Sequence, residues 1–372
     1  MRILITGARA PVALEWAAMC IKHGHDVILT DSLAQPLGSF LRGIEHYVKT
    51  ASPRFSFPTY QQQILKLLTQ QRIDMVIPTC EEVYYLAHIA QQCPRVHFFL
   101  PNSALLHSLH SLHNKFTVFD QLRNLPEISL PKTRLVTDKH DIKINADSVL
   151  KPVYSRFGGE VIRDITRQSI STLTMSTQHP WVQQEKIHGA PICNYAIFEH
   201  GQMRAHQAYL PKNCVNGSAA SAFQPIVNDR LEAFMTAFGH RHHYHGQVSF
   251  DFIQTNDELY IIECNPRATS GLHLLSPQCT HLFPELAFSF PTKPQLHHLG
   301  AVSLIAQGGL SFFKANTWQD WLSGVNVMRQ HDLPIRYQML SVFKLLQIAR
   351  KNKVKLAAAS TVDIEWNGEE MP

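Results

Sequence analysis

Two carboxylates, an amide and a guanidinium fall within one short stretch, Gly246–Gly271 (GQVSFDFIQTNDELYIIECNPRATSG). The stretch has the pattern of a β-hairpin: Gln247–Gln254 alternates towards the apolar, Thr255-Asn256-Asp257-Glu258 supplies the turn, and Leu259–Cys264 returns. Side chains two apart share a strand face, so Val248, Phe250 and Phe252 point one way and Ser249, Asp251 and Ile253 the other. On the return strand Glu263 and Asn265 share a face, and Pro266 stops ladder pairing. Buried carboxylates are costly unless paired or ligated. A divalent cation accounts for the three oxygen donors Asp251, Glu263 and Asn265 together, with Arg267 facing whatever anion the metal holds; hard oxygen ligands suit Mg²⁺. An amphipathic hairpin with a surface salt bridge accounts for the same residues.

A second concentration of chemistry lies upstream. Ser148–Tyr154 (SVLKPVY) places Lys151 in an apolar strand, followed by Ser155-Arg156-Phe157-Gly158-Gly159 and a further expected strand, Glu160–Arg163. A lysine in a buried strand needs an anion partner, and a Gly-Gly tip offers backbone N–H groups that can close over phosphates. A snorkelling lysine beside an ordinary turn is the alternative. Lys115 opens an expected helix, Lys115–Leu125, and Trp181–Ile187 (WVQQEKI) forms a strand ending at His188-Gly189. The run HRHHYH at 240–245 has no coherent ligand spacing for zinc and is expected to be an exposed polar turn.

The elements that must position these residues begin with a Rossmann-like βαβ unit. Arg2–Thr6 is a buried strand, Gly7-Ala8-Arg9-Ala10 turns into a helix with Pro11 in its first turn, and Asp26–Thr30 is a second strand closed by Asp31. Gly7 is the sole glycine before Gly24, so a dinucleotide fingerprint is missing, as is the Gly-Lys-Ser/Thr of a P-loop. A helix at Ile64–Leu68, a strand at Asp74–Pro78, a helix at Glu81–Gln91 and a strand at Val96–Leu100 follow. Glu81-Glu82 could face a ligand at the strand ends or make a solvated helix start. Beyond a helix at Ser103–Leu112 come a meander (Ile192–Glu199, Met203–Leu210), a loop with Gly217-Ser218, and a helix at Asp229–Phe238 leading into the hairpin. From about Thr292 the pattern is helical (Gly300–Gly309, Trp318–Met328, Gln338–Asn352), ending in a polar stretch, Ser360–Gly368, with Ile364 and Trp366 as apolar anchors of a docking tail.

Composition sets the setting. The chain has 372 residues, 45% hydrophobic and 17% charged, enough for two or three cored domains and too little charge for extensive disorder. Net charge is +5, which fits anionic small molecules, and no long basic run argues for nucleic acid. Seven scattered cysteines without a CxxC fit reduced thiols. With neither a signal-peptide pattern nor a membrane-length apolar run, the expected location is the cytoplasm.

Taken in order, the residues resemble an ATP-grasp enzyme, the superfamily of carbamoyl-phosphate synthetase, biotin carboxylase and D-alanine–D-alanine ligase. The resemblance spans roughly residues 1–275 and is most specific at Glu263-Cys264-Asn265-Pro266-Arg267, which matches the family's Glu-x-Asn-Pro-Arg. The fold it implies is α/β and α+β. A Rossmann-like pre-ATP-grasp domain (1–100) is followed by an ATP-grasp domain (101–290; small lobe about 114–187, large lobe about 188–290) and a helical C-terminal extension (291–372). By resemblance, Lys115 and Lys151 contact ATP phosphates, and Phe157-Gly158-Gly159 closes over the β- and γ-phosphates. Gln184-Glu185-Lys186-Ile187 is the hinge strand, with the Glu185 carbonyl and Ile187 N–H meeting adenine. Asp251, Glu263 and Asn265 hold Mg²⁺, or Mn²⁺ in its place, and Arg267 stabilises the transferred phosphoryl group. Pro191 stands where many members carry an acidic ribose ligand, so Asn194 or a backbone group is the expected substitute.

The resemblance implies an ADP-forming carboxylate–amine (or thiol) ligase acting through an acyl phosphate on small-molecule carboxylate and amine substrates, with a homodimer as an option. Other ATP-grasp phosphoryl transfer or carboxylation, or a nucleotide-binding regulator without turnover, are the alternatives. Arg204, His206 and Tyr209 could border the acceptor site, Arg204 being equally readable as a solvated strand residue.

Overall fold

A computed structural model describes residues 1–101, 106–156, 160–214, 220–289, 294–300, 302 and 315–371. The first hundred residues form a five-stranded parallel sheet in the order β3-β2-β1-β4-β5. Its strands are β1 (Arg2–Thr6), β2 (Asp26–Asp31), β3 (His46–Lys49), β4 (Met75–Ile77) and β5 (His97–Phe98), with α1 (Pro11–Lys22), α2 (Phe57–Gln70) and α3 (Val83–Ala90) between them. Central strands buried on both faces read as continuous apolar runs, and Ile3, Leu4, Ile5, Val27, Ile28 and Leu29 are fully buried. Helix α1 starts at Pro11, whose fixed φ suits the first turn. Its Trp16 stacks on Phe283 at 6.2 Å and meets Phe99 edge-on at 5.5 Å, so this helix is wedged between the parallel sheet and the later chain.

Helices α4 (Leu106–His113) and α5 (Val118–Leu122) lead to a three-stranded antiparallel sheet, β6 (Thr133–Val136), β8 (Trp181–Glu185) and β7 (Ser148–Pro152) in that spatial order, with α6 (Arg167–Ser171) between β7 and β8. The expected helix Lys115–Leu125 is shorter, and Lys115 precedes it. The Asn114 side-chain oxygen accepts the Phe116 and Thr117 N–H groups at 2.8 and 3.1 Å, delaying the first helical turn. The expected strand Glu160–Arg163 reduces to one bridge, Leu150 to Ile162.

The large sheet has seven strands in the order β13-β12-β9-β10-β11-β16-β17. They are β9 (Ala190–Glu199), β10 (Gln202–Lys212), β11 (Ala222–Ile226), β12 (Gly246–Gln254), β13 (Leu259–Asn265), β16 (His297–His298) and β17 (Val325–Asn326); β14 (Cys279–His281) and β15 (Ala287–Phe288) make a separate pair. Helix α7 (Asp229–His242) packs beneath, capped by the Asn228 side chain accepting from Leu231 N at 3.1 Å. The run 240–245 is not an exposed turn. Its first three residues finish α7, Tyr244 is buried, and the His245 ring stacks on His200 and meets Phe99 edge-on. The later chain is helical at Ala315–Ser323, Val327–Gln330 and Ile335–Asn352, yet β16 and β17 also extend the large sheet. The expected helix Gly300–Gly309 lies almost wholly outside the described residues.

The stretch 360–369 folds back onto the first sheet. Arg9, in the turn after β1, donates to Asp31 at 2.6 Å and to Asp363 at 2.5 Å, and Ser32 Oγ donates to Asp363 at 2.6 Å. Trp366 stacks on His110 at 4.1 Å and lies edge-on to Tyr154 at 5.0 Å. Asp31, the acidic end of β2 where a Rossmann domain would hold ribose, is thus committed to Arg9.

Candidate active site at the lobe junction

The hairpin sorts its side chains by alternation. Val248, Phe250 and Phe252 are buried against α7, with Phe250 5.2 Å from Phe234 and 5.1 Å from Phe238. Asp251 therefore sits on the opposite face, in register with Glu263 on β13 and with Cys193 on β9. The ladder then slips: Asp251 opposes Glu263 but Phe252 opposes Ile261, so one extra residue bulges on β13.

Lys115, just before α5, and Lys151, on β7, reach this face. The Lys115 backbone N–H bonds Val153 O at 3.2 Å, tying the residue to the chain just after β7. Its Nζ lies 3.2 Å from Glu263 Oε2 and donates to Ser155 O at 2.8 Å. Lys151 Nζ donates to Gln184 Oε1 at 2.8 Å, and that amide is itself fixed by donating to Thr133 Oγ1 at 3.1 Å. Burial pushes the Lys151 ammonium down to about 8, against the opposing pull of Glu263. Burial and the Glu263 charge together push the Asp251 carboxyl up. For Glu263 burial acts in the same direction, but Lys115 and Lys151 prevail and hold it below the usual carboxylate range.

Two adjoining half-buried carboxylates, one of them resisting ionisation, are what a dication relieves. Asp251 and Glu263 with the amide oxygen of Asn265 form a hard donor set that fits Mg²⁺. Asn265 Nδ2 is 3.5 Å from Glu263 Oε1. Its Oδ1 accepts from Arg267 Nη2 at 3.1 Å, so the amide already faces the guanidinium. Among the described residues no cluster of three or more His, Cys, Asp or Glu side chains is placed to hold a metal; this set has only two carboxylates.

Arg267 is anchored from the first sheet. Its Nε donates to Glu81 Oε1 at 2.7 Å, and Nη1 donates to Ala268 O at 3.2 Å. Glu81 is fully buried and its other oxygen lies 2.6 Å from Arg156 Nε. Burial alone would raise the Glu81 carboxyl, but Arg156 and Arg267 hold it far below the usual range. The solvated helix start is thereby overturned for both acids: Glu82 is also buried, accepting from Thr6 Oγ1 at 2.5 Å. The signal for Glu81 was present as an acid at the C-terminal end of a parallel strand, but its arginine partners are 75 and 186 residues away.

The other expected residues fall as follows. Glu185 ends β8, its N–H bonded to Lys132 O and its side chain accepting from Lys132 N; Lys186 N bonds Asp147 O, and Ile187 leaves the strand towards β9. Gly189 lies hard against the hairpin end, because a Cβ there would fall 2.2 Å from Gln254 O. A cavity of about 420 Å³ opens beside it, lined by His188–Ala190 and Gln254–Asn256. Asn194 cannot serve a ribose. It is fully buried, its side-chain oxygen accepts Phe250 N at 2.8 Å, and its NH₂ meets His206 at 3.3 Å. Arg204 pairs with Glu199 at 2.7 Å and is partly exposed, the solvated reading, while Tyr209 is buried near Cys193 and Asp251. Phe157, Gly158, Gly159, Gly217 and Ser218 lie outside the described residues.

A lysine-bearing three-stranded sheet set against a large, mostly antiparallel sheet with an Asp, Glu, Asn and Arg set on one hairpin defines an ATP-grasp fold. Residues 112–271 match the ATP-grasp domain family. The structure is similar to L-amino acid ligase from Bacillus licheniformis, with 15% identity, TM-score 0.57, and 75% of this chain and 70% of that one covered. It is also similar to N5-carboxyaminoimidazole ribonucleotide synthetase in its ADP complex (14%, TM-score 0.59, 79% and 80%). A third likeness is to the biotin carboxylase domain of Hydrogenobacter thermophilus 2-oxoglutarate carboxylase, solved with MgADP and bicarbonate (13%, TM-score 0.57, 75% and 66%). Among curated protein sequences none matches the chain. No helix among the described residues is long and apolar enough to cross a membrane.

Proposed function

We propose that the protein is an ATP- and Mg²⁺-dependent, ADP-forming ligase that joins a small carboxylic acid or amino acid to an amine or thiol by way of an acyl phosphate. The observation that carries this reading is the contact of Lys115 with Glu263, beside Asp251 and the buried Lys151: two cations and two carboxylates with no partner charge left over until a polyanion and a dication arrive together. Residues 1–100 then act as the pre-ATP-grasp domain, about 114–187 and 188–290 as the two lobes, and 291–372 as an extension.

A carboxylate reacts with an amine only when its oxygen becomes a leaving group. Transfer of the γ-phosphoryl group to that oxygen makes an acyl phosphate; the amine adds to its carbonyl carbon and inorganic phosphate leaves. Phosphoryl transfer asks for positioning and charge neutralisation rather than covalent help. Lys115 and Lys151 bind phosphate oxygens, the 184–187 segment lines the adenine, and Arg267 meets charge developing on the transferred group. Mg²⁺, or Mn²⁺ in its place, held by Asp251, Glu263 and Asn265, would supply further neutralisation of the phosphates. The setting we infer is the cytoplasm.

The test is a screen of small acids and amines for ATP cleavage. ADP and phosphate appearing only when both an acid and an amine (or thiol) are present support the ligase. ADP formation indifferent to the nucleophile points to another phosphoryl transfer or a carboxylation, and nucleotide binding without turnover to a regulator.

A further inference from the structure

The C-terminal stretch around Trp366 and Asn367 is far from the hairpin in sequence, yet an unbroken series of contacts joins them. Asn367 Oδ1 accepts from Arg156 Nη1 at 2.5 Å, and the Trp366 carbonyl accepts from Arg156 Nη2 at 2.6 Å. The same Nη2 lies 3.0 Å from His113 Nε2. With its fork held by the tail, Arg156 turns its Nε to Glu81 at 2.6 Å. Glu81 spends its other oxygen on Arg267 at 2.7 Å, and Arg267 reaches Asn265 at 3.1 Å.

A fully buried carboxylate between two guanidiniums is an expensive arrangement for stability alone. The desolvation of three charges is repaid only when geometry is good and the remaining donors are satisfied. Here the Nη donors of Arg156 are satisfied by the tail and an Nη of Arg267 by the candidate metal-binding amide, while Arg156 Nε meets Glu81 as a close ion pair without hydrogen-bond geometry. Arg267 keeps part of its surface open, at 18% side-chain exposure, whereas Arg156 is at 5% and Glu81 at 0%. The open end of the series is thus the one facing the proposed phosphoryl site, and the closed end is the tail.

We propose that Glu81 is a positioning residue for Arg267 and that the 366–367 segment completes the device by seating Arg156. This rests on the ATP-grasp reading of Arg267. Glu81 fixes the Nε edge of Arg267, so its Nη groups are presented in one orientation before nucleotide binds. Arg156 fixes Glu81 in turn, and without the tail its fork would lose two of its acceptors. A group already in place pays no reorganisation cost when charge develops in front of it.

The test compares binding of MgADP with binding of MgADP plus fluoroaluminate, a mimic of the phosphoryl group in flight, by calorimetry on the full chain. Arg267→Ala serves as the reference for losing the mimic's extra affinity. Glu81→Gln and Asn367→Ala should hold MgADP affinity within about threefold of wild type. The extra affinity from fluoroaluminate should fall tenfold or more in Glu81→Gln and about threefold in Asn367→Ala, with recovery in Asn367→Asp, which keeps an acceptor. Should Glu81→Gln fail to fold, Asn367→Ala and its Asp counterpart decide alone. Unchanged fluoroaluminate gain in the folded variants, with Arg267→Ala abolishing it, overturns the positioning role and leaves the ligase reading standing. Wild-type protein that binds no MgADP overturns both.

Discussion

Lys115 Nζ and Glu263 Oε2 stand 3.2 Å apart, a lysine from the turn before α5 against a carboxylate on β13 of the seven-stranded sheet. In the proposed reaction each has another destination, the lysine a phosphate and the carboxylate Mg²⁺. The nucleotide-free protein keeps the two charges neutralised against one another, and ligand binding exchanges one pairing for two. Glu263→Gln should therefore lower MgADP affinity by tenfold or more while leaving metal-free ADP binding undiminished or tighter, since Lys115 loses its competing carboxylate. Calorimetry with and without EDTA reads this, and a variant that retains its full Mg²⁺ dependence would remove Glu263 from the metal site.

Gly189→Ala tests how tightly the proposed hinge is threaded. Its Cβ would meet the Gln254 carbonyl, a backbone atom that cannot step aside. The segment must shift, at a cost of about 1–3 kcal/mol, and, if it lines adenine as proposed, ADP binding should weaken at least fivefold. Wild-type stability and ADP affinity in this variant would contradict the contact.

Gln247 locks the first sheet to the seven-stranded sheet. Its side-chain oxygen accepts from Trp16 Nε1 and Tyr195 OH, both at 2.7 Å, and its NH₂ donates to Pro78 O at 2.9 Å. Gln247→Ala strands three buried polar groups and should cost roughly 3 kcal/mol. Urea unfolding measures it, and a loss below about 1 kcal/mol would show that water or repacking replaces the amide.

Acid should loosen the same boundary through Glu15. Burial raises this carboxyl, but hydrogen bonds from His273 and His331 overcome it and bring it down to about 2. A folded value below the ordinary 4.5 means the carboxylate contributes its stability above about pH 4.5 and loses it as pH falls towards 2. The difference is worth about 3 kcal/mol. Denaturation midpoints at pH 6 and pH 3 should converge more closely in Glu15→Gln than in wild type; equal pH dependence in both would exclude Glu15 as the source.

The hairpin and the facing of Asp251 and Glu263 across it were legible because they follow from a short-range pattern: alternation fixes the face each side chain takes. The same holds for β1, α1 and β2, whose apolar runs need no distant context. His46–Lys49 was missed because this edge strand is short and half-exposed, so no alternation marks it. Ala222–Ile226 was hidden by Pro225, and two-residue strands such as His297–His298 exist only as additions to a sheet already built. The Glu81 clamp was out of reach for another reason. Its three arginine and glutamate members come from three separate parts of the chain, and no local pattern records which charges will meet.

The ion pair of Arg9 with Asp363 spans 354 residues of sequence. On the ribosome, Arg9 is made 354 residues before its second carboxylate. Over that interval the turn after β1 must bury a guanidinium against Asp31 alone, so the first sheet is expected to be completed only once residue 363 has been made. Nascent chains stalled before residue 363 should leave their first hundred residues open to protease, and chains released past residue 369 should not.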